Sequence, residues 1–184
     1  MHKDGRCNLT KIMDRLSLKS AVRIEPLEAR VAPAAVVAVT YTDVDGDLVK
    51  VSVSHGSLTL GNLTLVNSGL GQQLTMLDLS NSAFAGAAVT ITVSKTAKGT
   101  GDGLVNVGEI FAGTNDLGDV TVKGDLGMIF AGSGSSTVPA VKSLQVNSIG
   151  AFGVTTGASS LQSGITGDLG ALKVTGNLAM ESSM

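Results

Sequence analysis

The sequence predicts an all-β fold: a parallel β-helix (β-solenoid) built from irregular repeats of about 19–26 residues, with a strand-rich region ahead of it. Three observations carry the prediction. First, Gly108-Glu109-Ile110-Phe111-Ala112-Gly113-Thr114 returns nineteen positions later as Gly127-Met128-Ile129-Phe130-Ala131-Gly132-Ser133, and Asp116–Leu126 returns as Asp168–Leu178. Second, beyond residue 36 small aliphatic residues alternate with polar ones at a period of two, the spacing of a strand with one buried face. Third, 17 of the 24 glycines fall between Gly99 and Gly176, where repeated tight turns need positive-φ corners.

Composition agrees with thin, regular layers. Hydrophobic residues make up 43%, charged residues 15% and aromatics 3%, with no Trp and one Tyr, so the core is built from Val, Leu, Ile and Ala. The chain of 184 residues is long enough to bury one.

Residues 1–35 read as a basic leader or sorting segment, largely disordered or a short helix. Residues 1–30 hold seven Lys/Arg and four Asp/Glu (+3), and the remainder six Lys and eleven Asp/Glu (−5). Asn8 or Thr10 is placed to cap a short helix with Leu9, Ile12, Met13 and Leu16 on one side, ended by Pro26. No Arg follows Arg30, so the body lacks the basic face a nucleic-acid-binding domain uses, and nucleic acid is not an expected partner. No apolar run reaches the ~18 residues of a membrane-spanning helix. Cys7 is the single cysteine and forms no internal disulfide.

Residues 36–98 read as a strand-rich β region or the first coils of the solenoid. Val37, Val39 and Tyr41 alternate on one side of Asp45-Gly46, and Val49, Val51 and Val53 on the other, the pattern of a β-hairpin. Short strands are expected at Leu58–Leu60, Leu63–Val66, Leu74–Leu79 and Val89–Val93, with no helix after residue 36. Residues 99–184 hold the glycine-rich repeats. The apolar pairs Val105/Val107, Val120/Val122, Leu144/Val146 and Leu172/Val174 mark successive strands, and Ser133–Pro139 and Thr155–Ser163 are the loops that absorb the unequal spacing. Phe111, Phe130 and Phe152 are expected to stack as a ladder inside the solenoid, with the repeat's Ile in the core and its Gly at the corners. The repeat is still in phase six residues before Met184, which leads to the expectation of a truncated array or of edge-to-edge self-association at the C-terminus.

Ile24-Glu25-Pro26-Leu27-Glu28-Ala29-Arg30-Val31-Ala32-Pro33-Ala34 resembles the N-terminal LEPR segment of large surface or secreted proteins of planctomycetes and verrucomicrobia. Ala29 stands where that family has Pro, and Val31-Ala32 where it has two leucines. The resemblance implies export to the cell envelope. The Gly-Asp-Leu-Gly turns also resemble β-helix repeats of large bacterial surface proteins, a likeness of fold alone.

Candidate chemistry is sparse. Asp43, Asp45 and Asp47 have the spacing of positions 1, 3 and 5 of an EF-hand-type loop, and calcium is the metal they would hold. The loop's Gly is replaced by Leu48 and its bidentate Glu by Ser54, so the pattern favours a hairpin turn whose carboxylates bond local N–H groups. Gly99–Gly103 lacks the Lys and helix of a phosphate loop and reads as a flexible turn. Asp102, Asp116, Asp119, Asp125 and Asp168 each sit in or beside a turn. His2 and His55 have no metal-ligand spacing with Cys7. Asn8-Leu9-Thr10 and Asn62-Leu63-Thr64 match the glycosylation pattern. No catalytic or cofactor-binding residue is assigned, and an enzyme is not expected. The reading is an extracellular or cell-surface structural, adhesion-like repeat protein, whose partners would be an envelope component, a glycan or another copy. The alternatives are a carbohydrate-active β-helix protein of lyase or glycosidase type without recognisable catalytic residues, and a glycan-binding module resting on Tyr41.

Overall fold

The computed structural model of the chain describes residues 37–97 and 100–177. The expected leader, with its helix, Cys7, His2, the Asn8 sequon and the Ile24–Ala34 segment, lies outside the described residues, as do Leu178–Met184. Ten strands join in one curled, mixed sheet: β1 (Val37–Thr42), β2 (Leu48–Val53), β3 (Leu63–Ser68), β4 (Gly71–Asp78), β5 (Val89–Ser94), β6 (Val105–Phe111), β7 (Leu117–Ala131), β8 (Val141–Ile149), β9 (Gly164–Ile165) and β10 (Leu172–Val174). No α-helix occurs among the described residues; three short 3-10 turns lie at Leu60–Asn62, Ser82–Phe84 and Gly153–Thr156.

The hairpin around Asp45-Gly46 forms as its alternation predicts. β1 and β2 pair antiparallel with Val39 opposite Val51 and Tyr41 opposite Val49. The expected strand at Leu58–Leu60 does not form. Leu58 is buried, but the Asn62 side chain accepts the Thr59 N–H at 2.9 Å and closes a 3-10 turn instead.

β7 organises the rest. Its first half pairs in parallel with β5 (Val120 opposite Val89) and β8 (Val120 opposite Leu144). Its second half pairs in parallel with β6 and, at its end, with β9. The register on β8 shifts between Val122 and Asp125; β8 stays alongside across the shift, while the neighbour on the other flank changes from β5 to β6. β10 continues the parallel series on β8, and β4 continues it on β6. The regions before and after residue 98 thus share one sheet, and Val49, Ile91, Ile110, Leu126 and Val146 belong to one core.

The Phe ladder is not in the core. Ile110 and Ile129 are buried, whereas Phe111 and Phe130 are half-buried on the outside. The reason is a stacked bend. In β4, β6 and β7 the inward residues are three apart rather than two: Leu74 and Leu77, Val107 and Ile110, Leu126 and Ile129. One extra residue reverses the alternation, so every later side chain changes face. Ile110 and Ala112 turn in and Phe111 turns out. The two rings meet edge-on, 6.5 Å apart at 62°. Phe152 does not continue them. It is 54% exposed, and Gly164 stands opposite Phe130, where a Cβ would lie 2.6 Å from the ring.

The first glycine of the repeat does not turn a corner either. Gly108 and Gly127 lie within β6 and β7, beneath the segment Gly150–Ser163, which returns across the outside of these strands. A Cβ on Gly108 would lie 2.8 Å from Thr156 O, and one on Gly127 would lie 2.7 Å from Ala158 Cβ. Thr156 and Ala158 are buried there. The corners belong to the second glycine, Gly113 (φ +59°) and Gly132 (φ +119°).

Candidate functional site

The densest polar cluster sits where the β1–β2 hairpin meets the glycine-rich loop before β6. β1 ends at Thr42 and the chain reverses through Asp43-Val44-Asp45-Gly46-Asp47. Asp43 donates its N–H to Asp47 O at 2.9 Å, and Gly46, at φ +94°, donates to Asp43 O at 3.2 Å. Asp43 Oδ1 accepts from the N–H groups of Asp45 (3.3 Å) and Asp47 (2.8 Å), the local bonding that its residue type favours in turns.

Asp47 reaches further. Its side chain is 0% exposed, and it accepts the Thr96 N–H through Oδ1 at 3.3 Å and the Gly103 N–H through Oδ2 at 2.9 Å. Asp45 accepts the Asp102 N–H through Oδ2 at 3.2 Å, and its carbonyl accepts the Thr100 N–H at 3.1 Å. Asp102 closes its own turn by accepting from Leu104 at 2.8 Å. A Cβ at Gly101 would overlap the Asp47 carboxylate, so only glycine fits there. The loop that reads as a flexible turn is therefore anchored to the hairpin by carboxylates.

One oxygen each from Asp45, Asp47 and Asp102 lies within 4.8 Å of the others. Asp43, the first of the three sequence candidates, is not in this group. Asp102 is, and it joins from 57 positions along the chain from Asp45. The sequence signal for it was Gly101-Asp102-Gly103, but separation in the chain hides the meeting. Asp45 Oδ1 is buried and has no hydrogen-bond partner. Burial, and then the neighbouring Asp45 carboxylate, push the Asp43 carboxyl up to about 7, while the hydrogen bond from Asp43 holds Asp45 below the usual carboxylate range. Tyr41 is buried at the edge of this cluster, and burial followed by the Asp43 charge raises its phenol well above the ordinary value. The buried Tyr41 ring presents no exposed stacking face.

The other aspartates are dispersed tie-points between successive passes of the chain. Asp116 accepts from the N–H and Oγ of Ser133, both at 2.8 Å. Asp119 accepts from Ser143 Oγ at 2.7 Å and from Lys142 Nζ at 3.0 Å, and these bonds hold its carboxyl below the usual range. Asp125 is buried and accepts from Ser148 Oγ (2.6 Å), Ala151 N–H (3.1 Å) and Phe152 N–H (3.4 Å), fixing the start of the returning segment. Asp168 is exposed. Among the described residues, only Asp45, Asp47 and Asp102 converge. Asn62, in the second glycosylation pattern, uses its side-chain amide on Asp78 O. No helix among the described residues is long and apolar enough to cross a membrane. Comparisons with protein-family models, curated proteins and solved structures find no match to this chain.

Proposed function

We propose that the chain is a parallel β-helix scaffold of the cell surface or extracellular space, a rigid adhesion-like module whose repeats carry shape rather than chemistry. One observation supports this reading most directly: the sequence repeat is also the spatial repeat. The two Gly-x-Ile-Phe-Ala-Gly copies lie side by side in parallel, with Ile110 opposite Ile129 and Phe111 opposite Phe130. The two copies of the second repeated stretch lie on either side of β8 in one register, with Val120 opposite Leu144 and Leu144 opposite Leu172. Identical residues stacked at one strand spacing are how a solenoid shares a core that no single coil can close. The loops between copies, rich in Ser, Thr and Asn, are the surfaces for a glycan, an envelope component or another copy. Fractionation of the source cells, with sequencing of the mature N-terminus, tests the location. Recovery from the envelope or medium is expected; an unprocessed cytoplasmic chain overturns it.

A second reading concerns the aspartate cluster. The convergence of one oxygen each from Asp45, Asp47 and Asp102, within 4.8 Å of one another, favours a hard cation, and calcium suits three carboxylate oxygens. Such an ion would clasp the glycine loop to the hairpin and stiffen that end of the scaffold.

A further inference from the structure

The turn after β2 holds a second, separate set of interacting polar groups. Ser54 Oγ lies 3.0 Å from His55 Nδ1, and His55 Nε2 lies 2.9 Å from the carbonyl oxygen of Ala85. A carbonyl oxygen only accepts, so Nε2 carries the hydrogen. In the neutral ring Nδ1 is then left with its lone pair towards the Ser54 hydroxyl. Ser54 is itself held at both ends: its N–H donates to Ala88 O at 3.0 Å, and its Oγ accepts the Ala88 N–H at 3.0 Å. The Ala88 bond leaves the hydroxyl proton free to point at Nδ1. A hydroxyl, a base within hydrogen-bond reach and a third group orienting that base are the elements of an activated nucleophile. A main-chain carbonyl takes the orienting position here.

The pair lies in a turn at the surface. Ser54 is half-buried and His55 exposed. Gly56 follows at φ +88°, packed so closely on the Phe84 ring that a Cβ has no room, which holds the turn in one shape. Among the described residues, the backbone N–H groups of His55 and Gly56 donate no hydrogen bond.

We propose that Ser54 is an acyl-accepting nucleophile with His55 as its base, acting on small or chain-end esters that reach an open surface turn. Ser54 Oγ bonds to the ester carbonyl carbon and its proton passes to Nδ1. The ester C–O bond then breaks, the alcohol leaves with that proton, and Ser54 keeps the acyl group. Water adds to the acyl carbon by the same route, giving its proton to Nδ1, and the carboxylic acid leaves as Oγ recovers the proton. The site lies outside the repeats, so the scaffold reading stands or falls without it.

The test is labelling of the intact chain with a fluorophosphonate. Oγ–P forms, P–F breaks, fluoride leaves and the proton passes to His55. Peptide mapping is expected to place the label on Ser54, well ahead of Ser52 and Ser94 in the same molecule, with a burst of nitrophenolate from p-nitrophenyl acetate. His55→Asn is expected to slow Ser54 labelling at least ~100-fold, the lower end of what a general base contributes, with the circular-dichroism melt retained. Labelling of Ser54 no faster than of Ser52 overturns the proposal, and this comparison needs no variant. So does His55→Asn labelled at the wild-type rate.

Discussion

Asp47 Oδ2 accepts the backbone N–H of Gly103 at 2.9 Å, and this buried bond joins two turns 56 residues apart. Asp47→Ala leaves the Gly103 N–H unpaired in the interior and the Thr96 N–H unpaired at a half-buried position. It is expected to cost about 2–4 kcal/mol, the range for two unpaired donors. Urea denaturation measures it, and Asp47→Asn, which keeps one acceptor oxygen, should recover part of the loss.

The Asp43–Asp45 pair makes stability depend on pH. The Asp43 carboxyl is pushed up to about 7 in the fold from 3.8. Its contribution is fully present below about 3.8, where it is protonated folded or unfolded, and is lost as pH rises through about 7. Asp45 runs the other way: its lowered value stabilises above 3.8 and that contribution fades in acid. Tm is therefore expected to fall between about pH 5 and pH 8, and Asp43→Asn, neutral throughout, to flatten the fall. An unchanged slope in the variant removes Asp43 as the cause.

Calcium at the Asp45, Asp47 and Asp102 cluster predicts a Tm that rises with millimolar calcium, the range of weak calcium sites with few protein ligands. Asp102→Asn should abolish the rise while leaving the calcium-free melt close to wild type. A melt insensitive to about 10 mM calcium rules out the ion at this position.

The repeat itself separates core from surface. Ile129→Ala removes a fully enclosed side chain and is expected to cost about 2–5 kcal/mol. Phe130→Ala removes a larger ring that water already reaches, and about half that loss is expected. Equal losses in thermal or urea melts would place Phe130 inside after all.

How much of this could be read from the chain follows from which features are local. The hairpin at Asp45-Gly46 and the strands around Val89, Val120, Leu144 and Leu172 follow from alternation and turn residues a few positions apart. The inward Ile and outward Phe do not, because a bend of one residue between Val107 and Ile110 leaves no mark in the sequence and reverses everything after it. The same limit hid Asp102. It meets Asp45 only through the path of the chain, whereas Asp43, next in sequence, turns to its own backbone. The repeat and the parallel run of its copies were legible in the sequence; which residues face each other needed the register of β6 on β7.

Gly127→Ala tests why the repeat begins with glycine. The added methyl meets Gly108 O of β6 at 2.5 Å as well as Ala158 Cβ and Thr156 Oγ1, so the strand pairing and the returning segment are both pushed. A loss of about 1–3 kcal/mol is expected, with faster hydrogen exchange at the amides of Thr156–Ala158. Exchange unchanged there would mean that the strand, not the segment, gives way.

β7 pairs with β5, β6, β8 and β9 along its 15 residues. Losing it would strip hydrogen bonds from four neighbours at once, on both sides of its register shift. The consequence is cooperativity: no half of the sheet has a subset of strands able to melt alone, so the described residues should unfold in a single transition, with the slowest-exchanging amides of β5 and β6 sharing one opening free energy.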